Sequence, residues 1–161
     1  MKDRSGFTLV ELMIVVGIIG IVLAIATMNI KQWNDKYTVE SYTKEIHSIL
    51  MKARNDAANT NSQVRVTLAA NLVTTHQDTD SDGVVDAGEP TTTKPYQQFT
   101  IQSSSGLPET IVFDRRGMTN DTQTISITGY SPNASPGVDC IAVAVTRINM
   151  GVMTGGACAQ Q

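Results

Sequence analysis

Residues 7–28 read FTLVELMIVVGIIGIVLAIATM, and this stretch sets the architecture of all that follows. It holds one charged residue, Glu11, and is long enough to cross a bilayer as a helix, which takes about 20 residues. Lys2 and Arg4 precede it, so the positive-inside rule puts the N-terminus in the cytoplasm and the rest of the chain on the far side. A cleavable secretory signal is the competing reading. Its apolar core usually runs about 7–15 residues before a small-x-small site, and only Ala24-Ile25-Ala26 offers such a site here. The segment predicts a retained membrane helix.

Glu11 lies four residues inside the apolar run. A carboxylate in the membrane costs about 2.5–3.5 kcal/mol on insertion scales, so it either snorkels to the interface or meets a cation at its own depth. Residues 7–30 contain no cation. A second molecule must supply one, or a cut in the chain must create an amine.

RSGFTLVELMIVVGIIGIVLAIA, beginning at Arg4, resembles the N-terminus of type IV pilins and type II secretion pseudopilins. The resemblance rests on a short charged leader, a glycine, a phenylalanine, Thr8-Leu9 and a glutamate at the expected offset. It implies that a prepilin peptidase at the inner membrane cuts after Gly6, removing residues 1–6 and leaving Phe7 as an N-methylated first residue. It also implies that Glu11 pairs with the α-amine of a neighbouring subunit when the helices stack into a filament. Many filament-forming members carry a proline near the exit of this segment, where this chain has Met28. The resemblance therefore says nothing about how the helix bends here, and Gly17 and Gly20 are the candidate weak points.

Beyond the membrane segment the helical pattern continues. Val39, Tyr42, Ile46, Ile49, Leu50, Ala53 and Ala57 recur at three- and four-residue steps, which predicts an amphipathic helix over 29–59. Lys36, Glu40, Lys44, Glu45, Lys52 and Asp56 fill the other face, with Glu40 placed four residues before Lys44. Residues 60–161 then read as a strand-rich domain. QVRVTLA alternates Val64, Val66 and Leu68 inward, and Ala70-Asn71 offers a turn before LVTT. Further strands are expected at 96–102, 109–114, 123–130 and 140–148, punctuated by Arg116-Gly117 and Pro132-Asn133. A helix followed by strands predicts an α+β fold with the long helix packed across an antiparallel sheet. IVFDRRGMT, TISIT and CIAVAVTRINMGVMTGGAC are similar to the minor pilin and pseudopilin branch called GspH/FimT, which has a phenylalanine-x-x-x-glycine turn before a final hairpin.

DTDSDGVVDAGE, residues 78–89, carries the spacing of a calcium loop. Asp78, Asp80, Asp82, Asp86 and Glu89 stand at ligand positions, the Val84 carbonyl at another, and Gly83 at the sharp turn. A sensor of the helix–loop–helix kind needs a helix on each side. An apparent strand lies upstream and Pro90-Thr91-Thr92-Thr93 downstream, so the expectation is a calcium-binding staple between strands, with an acidic solvated hairpin as the alternative.

The net charge of −3 owes much to this loop. Without its acids the chain would hold more basic than acidic side chains, and neither balance argues for nucleic acid. Some FimT-like minor pilins bind DNA through arginines near the C-terminus. Here Arg147 is the only base in VTRINMGVMTGG, and Arg115-Arg116 is a lone basic pair, which counts against that role. Cys140 and Cys158 suit one disulfide if the domain is exported, meeting across the base of a terminal hairpin near a Gly151 turn. His47 and His76 stand in no catalytic pattern, and no nucleophile elbow or phosphate loop occurs, so no enzyme is expected. The leading expectation is a structural subunit of a type IV pilus or a type II secretion pseudopilus, a minor one that initiates or joins the filament. Its partners would be other pilin or pseudopilin subunits. The alternatives are a membrane-anchored calcium-binding adhesin or sensor, and a DNA-uptake minor pilin.

Overall fold

The computed structural model describes residues 7–80, 82–84 and 86–160, with the side chains of 25–29 left out. The expected leader, Gly6 included, lies outside the described residues. One helix, α1, runs from Leu9 to Thr60, 52 residues or about 78 Å at 1.5 Å per residue. The Thr8 hydroxyl caps its start by accepting from the Glu11 backbone N–H at 3.2 Å. Asn61 ends it in the left-handed conformation (φ 53°), which asparagine adopts more readily than most residues. The helix passes through Met28 without a break.

Two antiparallel sheets follow. One has the strand order β3-β2-β1-β5, from β1 (Gln63–Ala69), β2 (Leu72–Asp78), β3 (Thr91–Pro95) and β5 (Glu109–Phe113). The other has the order β4-β6-β7-β8-β9, from β4 (Thr100–Ser103), β6 (Gln123–Thr128), β7 (Cys140–Val143), β8 (Ile148–Thr154) and β9 (Ala157–Gln160). Both sheets pack on the second half of α1, so the α+β expectation holds with two sheets in place of one.

The core forms where the helical and strand periodicities meet. Val39, Ile46, Leu50, Ala53 and Ala57 are buried along one stripe of α1. Val64, Val66 and Leu68 of β1 face them in strict alternation, joined by Ile111 and Phe113, while Ile101, Ile125, Ile127 and Ile141 come from the second sheet. Each such side chain contributes about 1.5–3 kcal/mol when fully buried.

Three strand expectations change. The stretch 96–102 is a strand only from Thr100, because Tyr96 and Phe99 leave the ladder to stack in the core around Tyr42, with ring centroids 4.8 and 6.2 Å from it. The stretch 140–148 is split by a tight turn, in which Ala144 and Arg147 exchange backbone hydrogen bonds of 2.8 and 3.3 Å. Gly151 is no turn. It sits in the middle of β8, and the terminal hairpin turns at Gly155-Gly156 instead. The unexpected strand β3 is an edge strand with every residue exposed, so it lacks the apolar alternation that marks the others.

Candidate functional site

From Leu9 to Leu23 the described side chains of α1 form an exposed apolar surface. Exposure runs from 83 % at Phe7 and 76 % at Leu9 to 60 % at Leu23, on a helix whose second half buries one stripe against two sheets. Among the described residues no helix is long and apolar enough to cross a membrane. The described side chains of the expected 7–28 segment stop at Ala24, and the remainder of that segment lies outside them. An exposed apolar face of this extent marks a contact surface for lipid or protein. Glu11 occupies the first turn of the helix, where the N-terminal partial positive charge favours a carboxylate, and it is exposed. The Thr8-x-x-Glu11 spacing is that of a capping box, of which the structure shows the Thr8 half, the hydroxyl accepting from the Glu11 N–H.

The acidic loop begins inside the fold. Asp78, the last residue of β2, is fully buried. Its Oδ2 accepts from Arg65 Nε at 3.1 Å and from the Gly83 backbone N–H at 3.0 Å. Gly83 has φ +88°, a conformation that favours glycine, and a Cβ there would lie 2.9 Å from Arg65 Nη2 and displace the end of that side chain. Asp80 accepts from the Asp82 N–H (3.2 Å) and Asp82 from the Val84 N–H (2.7 Å), so the carboxylates fold the loop on itself. Oxygens of Asp78, Asp80 and Asp82 lie within 4.8 Å of one another, close enough to share a cation.

The last two expected ligands behave differently. Glu89 Oε1 accepts from the Thr79 N–H and hydroxyl at 2.6 and 2.9 Å, and Oε2 from His76 Nε2 and the Asp86 N–H at 2.6 and 3.2 Å. These bonds, led by the two backbone N–H groups, pull its carboxyl down to about 2. Both its oxygens close the loop. Asp86 shows the opposite effect, its carboxyl pushed up chiefly by Asp82, with burial, Asp80, Glu89 and Asp78 adding to it. Val84 is 56 % exposed at the tip. Three of the six expected ligands are thus gathered, while Glu89 braces the loop.

Arg65 and His76 are the residues that the sequence pattern did not reveal. They stand directly opposite each other in the β1–β2 register and meet the two ends of the loop through Asp78 and Glu89. His76 and Glu89 are exposed by only 5 % and 6 %. Register was the missing signal, since Arg65 lies thirteen residues before Asp78 in the chain but beside it across the strands.

Cys140 and Cys158 form a disulfide, with Cα atoms 5.8 Å apart. It does not join the two strands of a hairpin as expected. It links β7 to β9 across the intervening β8, where Gly151 pairs with Cys140 on one side and Gln160 on the other. A Cβ at Gly151 would fall 2.1 Å from the Ala159 carbonyl oxygen and 3.1 Å from Cys158 Sγ, so only glycine lets β9 lie this close. His47 Nε2 donates to the Ile148 carbonyl at 3.1 Å, a hydrogen bond that ties α1 to β8. Of the basic pair, Arg116 is held by Asp114 at 3.1 Å on the surface.

Comparison with known proteins agrees with this geometry. The family model for the prokaryotic N-terminal methylation motif matches residues 1–27, and that for the type II transport protein GspH matches residues 43–146. Among curated proteins none matches the chain significantly. Two crystal structures of the type IV minor pilin FimU of Pseudomonas aeruginosa (strain PAO1), in space groups P21 and P65, share the fold. Each is 15 % identical, with TM-scores of 0.54 and 0.51, covering 70 % and 69 % of this chain and 87 % and 90 % of the other.

Proposed function

From the premise that the chain belongs to the GspH family and is a structural subunit of a type IV pilus or type II secretion pseudopilus, we propose that it enters the filament as a minor subunit. The observation that carries this reading is α1 itself. One half packs a stripe of side chains on the domain, and the other presents apolar side chains that lipid or other helices would cover. Before assembly the apolar half is held in the inner membrane, with the N-terminus cytoplasmic and the domain outside. The disulfide supports the placement of the domain, because such bonds persist in oxidising compartments. Prepilin peptidase then removes residues 1–6 and methylates Phe7. The new α-amine is the cation that residues 7–30 lack, and Glu11 of one subunit pairs with it on a neighbour to set the register.

Replacing Glu11 tests this. Glu11→Ala is expected to stay in the membrane and to be lost from sheared filaments, while Glu11→Asp keeps part of the incorporation. Incorporation of Glu11→Ala at the parental level refutes the pairing.

A second reading concerns the loop. Its three converging carboxylates and the raised Asp86 carboxyl favour a calcium ion bound by Asp78, Asp80 and Asp82, with Asp86 and the Val84 carbonyl completing the set. Glu89 would keep its bracing role. Titration calorimetry on the detergent-solubilised chain is expected to give heat that Asp80→Ala removes. Absence of heat in the parent ends this reading.

A further inference from the structure

Where α1 leaves its apolar run, Ile30, Trp33 and Tyr37 form a second exposed apolar feature, with exposures of 61 %, 65 % and 64 %. The Trp33 and Tyr37 rings contact each other with centroids 5.1 Å apart. At about 100° per residue, positions 30, 33 and 37 share one narrow face of the helix. That face lies roughly 120–180° around from Val39, the first core residue of the helix, so the domain is on the wrong side to cover it. Asp35, turned toward the domain, is buried and accepts from the Ser131 N–H at 3.3 Å.

We propose that Ile30, Trp33 and Tyr37 are a membrane-interface anchor, seating the helix at the outer headgroup layer of a phospholipid bilayer. The inference rests on the reading of residues 7–28 as the membrane-inserted segment. Depth supports it. From Glu11 to Lys31 is about 30 Å of helix at 1.5 Å per residue, the thickness of the hydrocarbon core. With Glu11 at the inner boundary, Lys31 reaches the outer one, Trp33 lies about 3 Å beyond it and Tyr37 about 9 Å beyond. That is the layer where tryptophan and tyrosine concentrate, the ring body in the acyl boundary and the polar edge toward water. Charge at the same depth is compatible with it: Lys36 stands about 90° around the helix from the aromatic face, within reach of the phosphates of anionic lipid, while Lys31 lies on the domain side beside Asp35. The opposite face is taken by the domain, so the anchor also fixes which way the domain leans over the membrane.

Trp33 is the only tryptophan in the chain, which makes its fluorescence a direct reporter. The full chain, reconstituted in phosphatidylglycerol-containing vesicles, is expected to show blue-shifted emission and several-fold weaker quenching by iodide than in detergent-free unfolded chain. Brominated lipid should quench it most strongly when the bromines lie near the headgroup. A chain that floats with the vesicles but whose tryptophan remains open to iodide and untouched by bromolipid overturns the anchor and leaves membrane insertion standing. Shielding from iodide without bromolipid quenching also overturns it, assigning the face to a second helix. Strongest quenching by bromines at the acyl ends places Trp33 too deep and overturns the headgroup assignment. A chain that does not float removes both the anchor and the reading beneath it.

Discussion

Gly151→Ala should unsettle the end of the second sheet more than any other single methyl group. The added Cβ would lie 2.1 Å from the Ala159 carbonyl oxygen and 2.7 Å from its carbon, both backbone atoms, where real contacts stay above 3.0 Å. β9 must therefore lift by about 1 Å along most of its pairing with β8, which runs from Gly151↔Gln160 to Thr154↔Ala157. It cannot swing away freely, because the Cys140–Cys158 bond ties it to β7. Overpacking of this kind costs about 1–3 kcal/mol, and weakened ladder hydrogen bonds add about 1 kcal/mol each. A total near 3 kcal/mol lowers Tm by about 9 °C in a chain of this size. Thermal melts of the solubilised chain, followed by near-ultraviolet circular dichroism, read the shift. The same substitution in a Cys140→Ser, Cys158→Ser background should cost at least about 1 kcal/mol less, since β9 is then free to move. A Gly151→Ala variant that melts within a degree of the parent, or a penalty unchanged without the disulfide, would show that β9 is not held against Gly151.

Ile46→Ala, at a fully buried position on the stripe that joins helix to sheets, is expected to cost about 2–5 kcal/mol in denaturant melts, whereas an exposed site such as Ser48→Ala should cost almost nothing. Glu89 governs acid sensitivity. Its carboxyl is near 2 in the fold against an ordinary 4.5, so its stabilisation is complete above about pH 4.5 and is lost as pH falls toward 2. Tm plotted against pH should therefore be flatter across that window for Glu89→Gln than for the parent, and parallel curves would refute the bracing role. Millimolar calcium should raise the parental Tm and leave Asp80→Ala unmoved, and an equal response in both would remove the loop as the cause.

The parts of the fold that repeat locally were legible in the sequence. The three- and four-residue steps from Val39 to Ala57 and the alternation of Val64, Val66 and Leu68 predict the helix and the strand that form. What escaped was decided by partners far along the chain. β3 has no buried residue and exists because β2 offers it an edge. Tyr96 and Phe99 have strand-like neighbours but leave the ladder for the aromatic cluster around Tyr42. The acidic spacing from Asp78 to Glu89 reads as a ligand set because it matches the intervals of a calcium loop. It does not reveal that Asp78 is a buried strand end, or that Arg65 and His76 wait across the register for Asp78 and Glu89. Gly151 reads as a turn because glycine usually marks one, and its role under a strand-crossing disulfide follows only from the path of β9.

Entry into the filament as a processed subunit is read from the N-terminus of the chain in assembled filaments. Filaments sheared from cells expressing the chain, together with their membrane fraction, can be digested and the N-terminal peptide weighed by mass spectrometry. The filament fraction is expected to contain this chain beginning at Phe7, lacking residues 1–6 and carrying one methyl group on its amine. A chain found only in the membrane, with its leader intact through Gly6 while other subunits are processed, would contradict it.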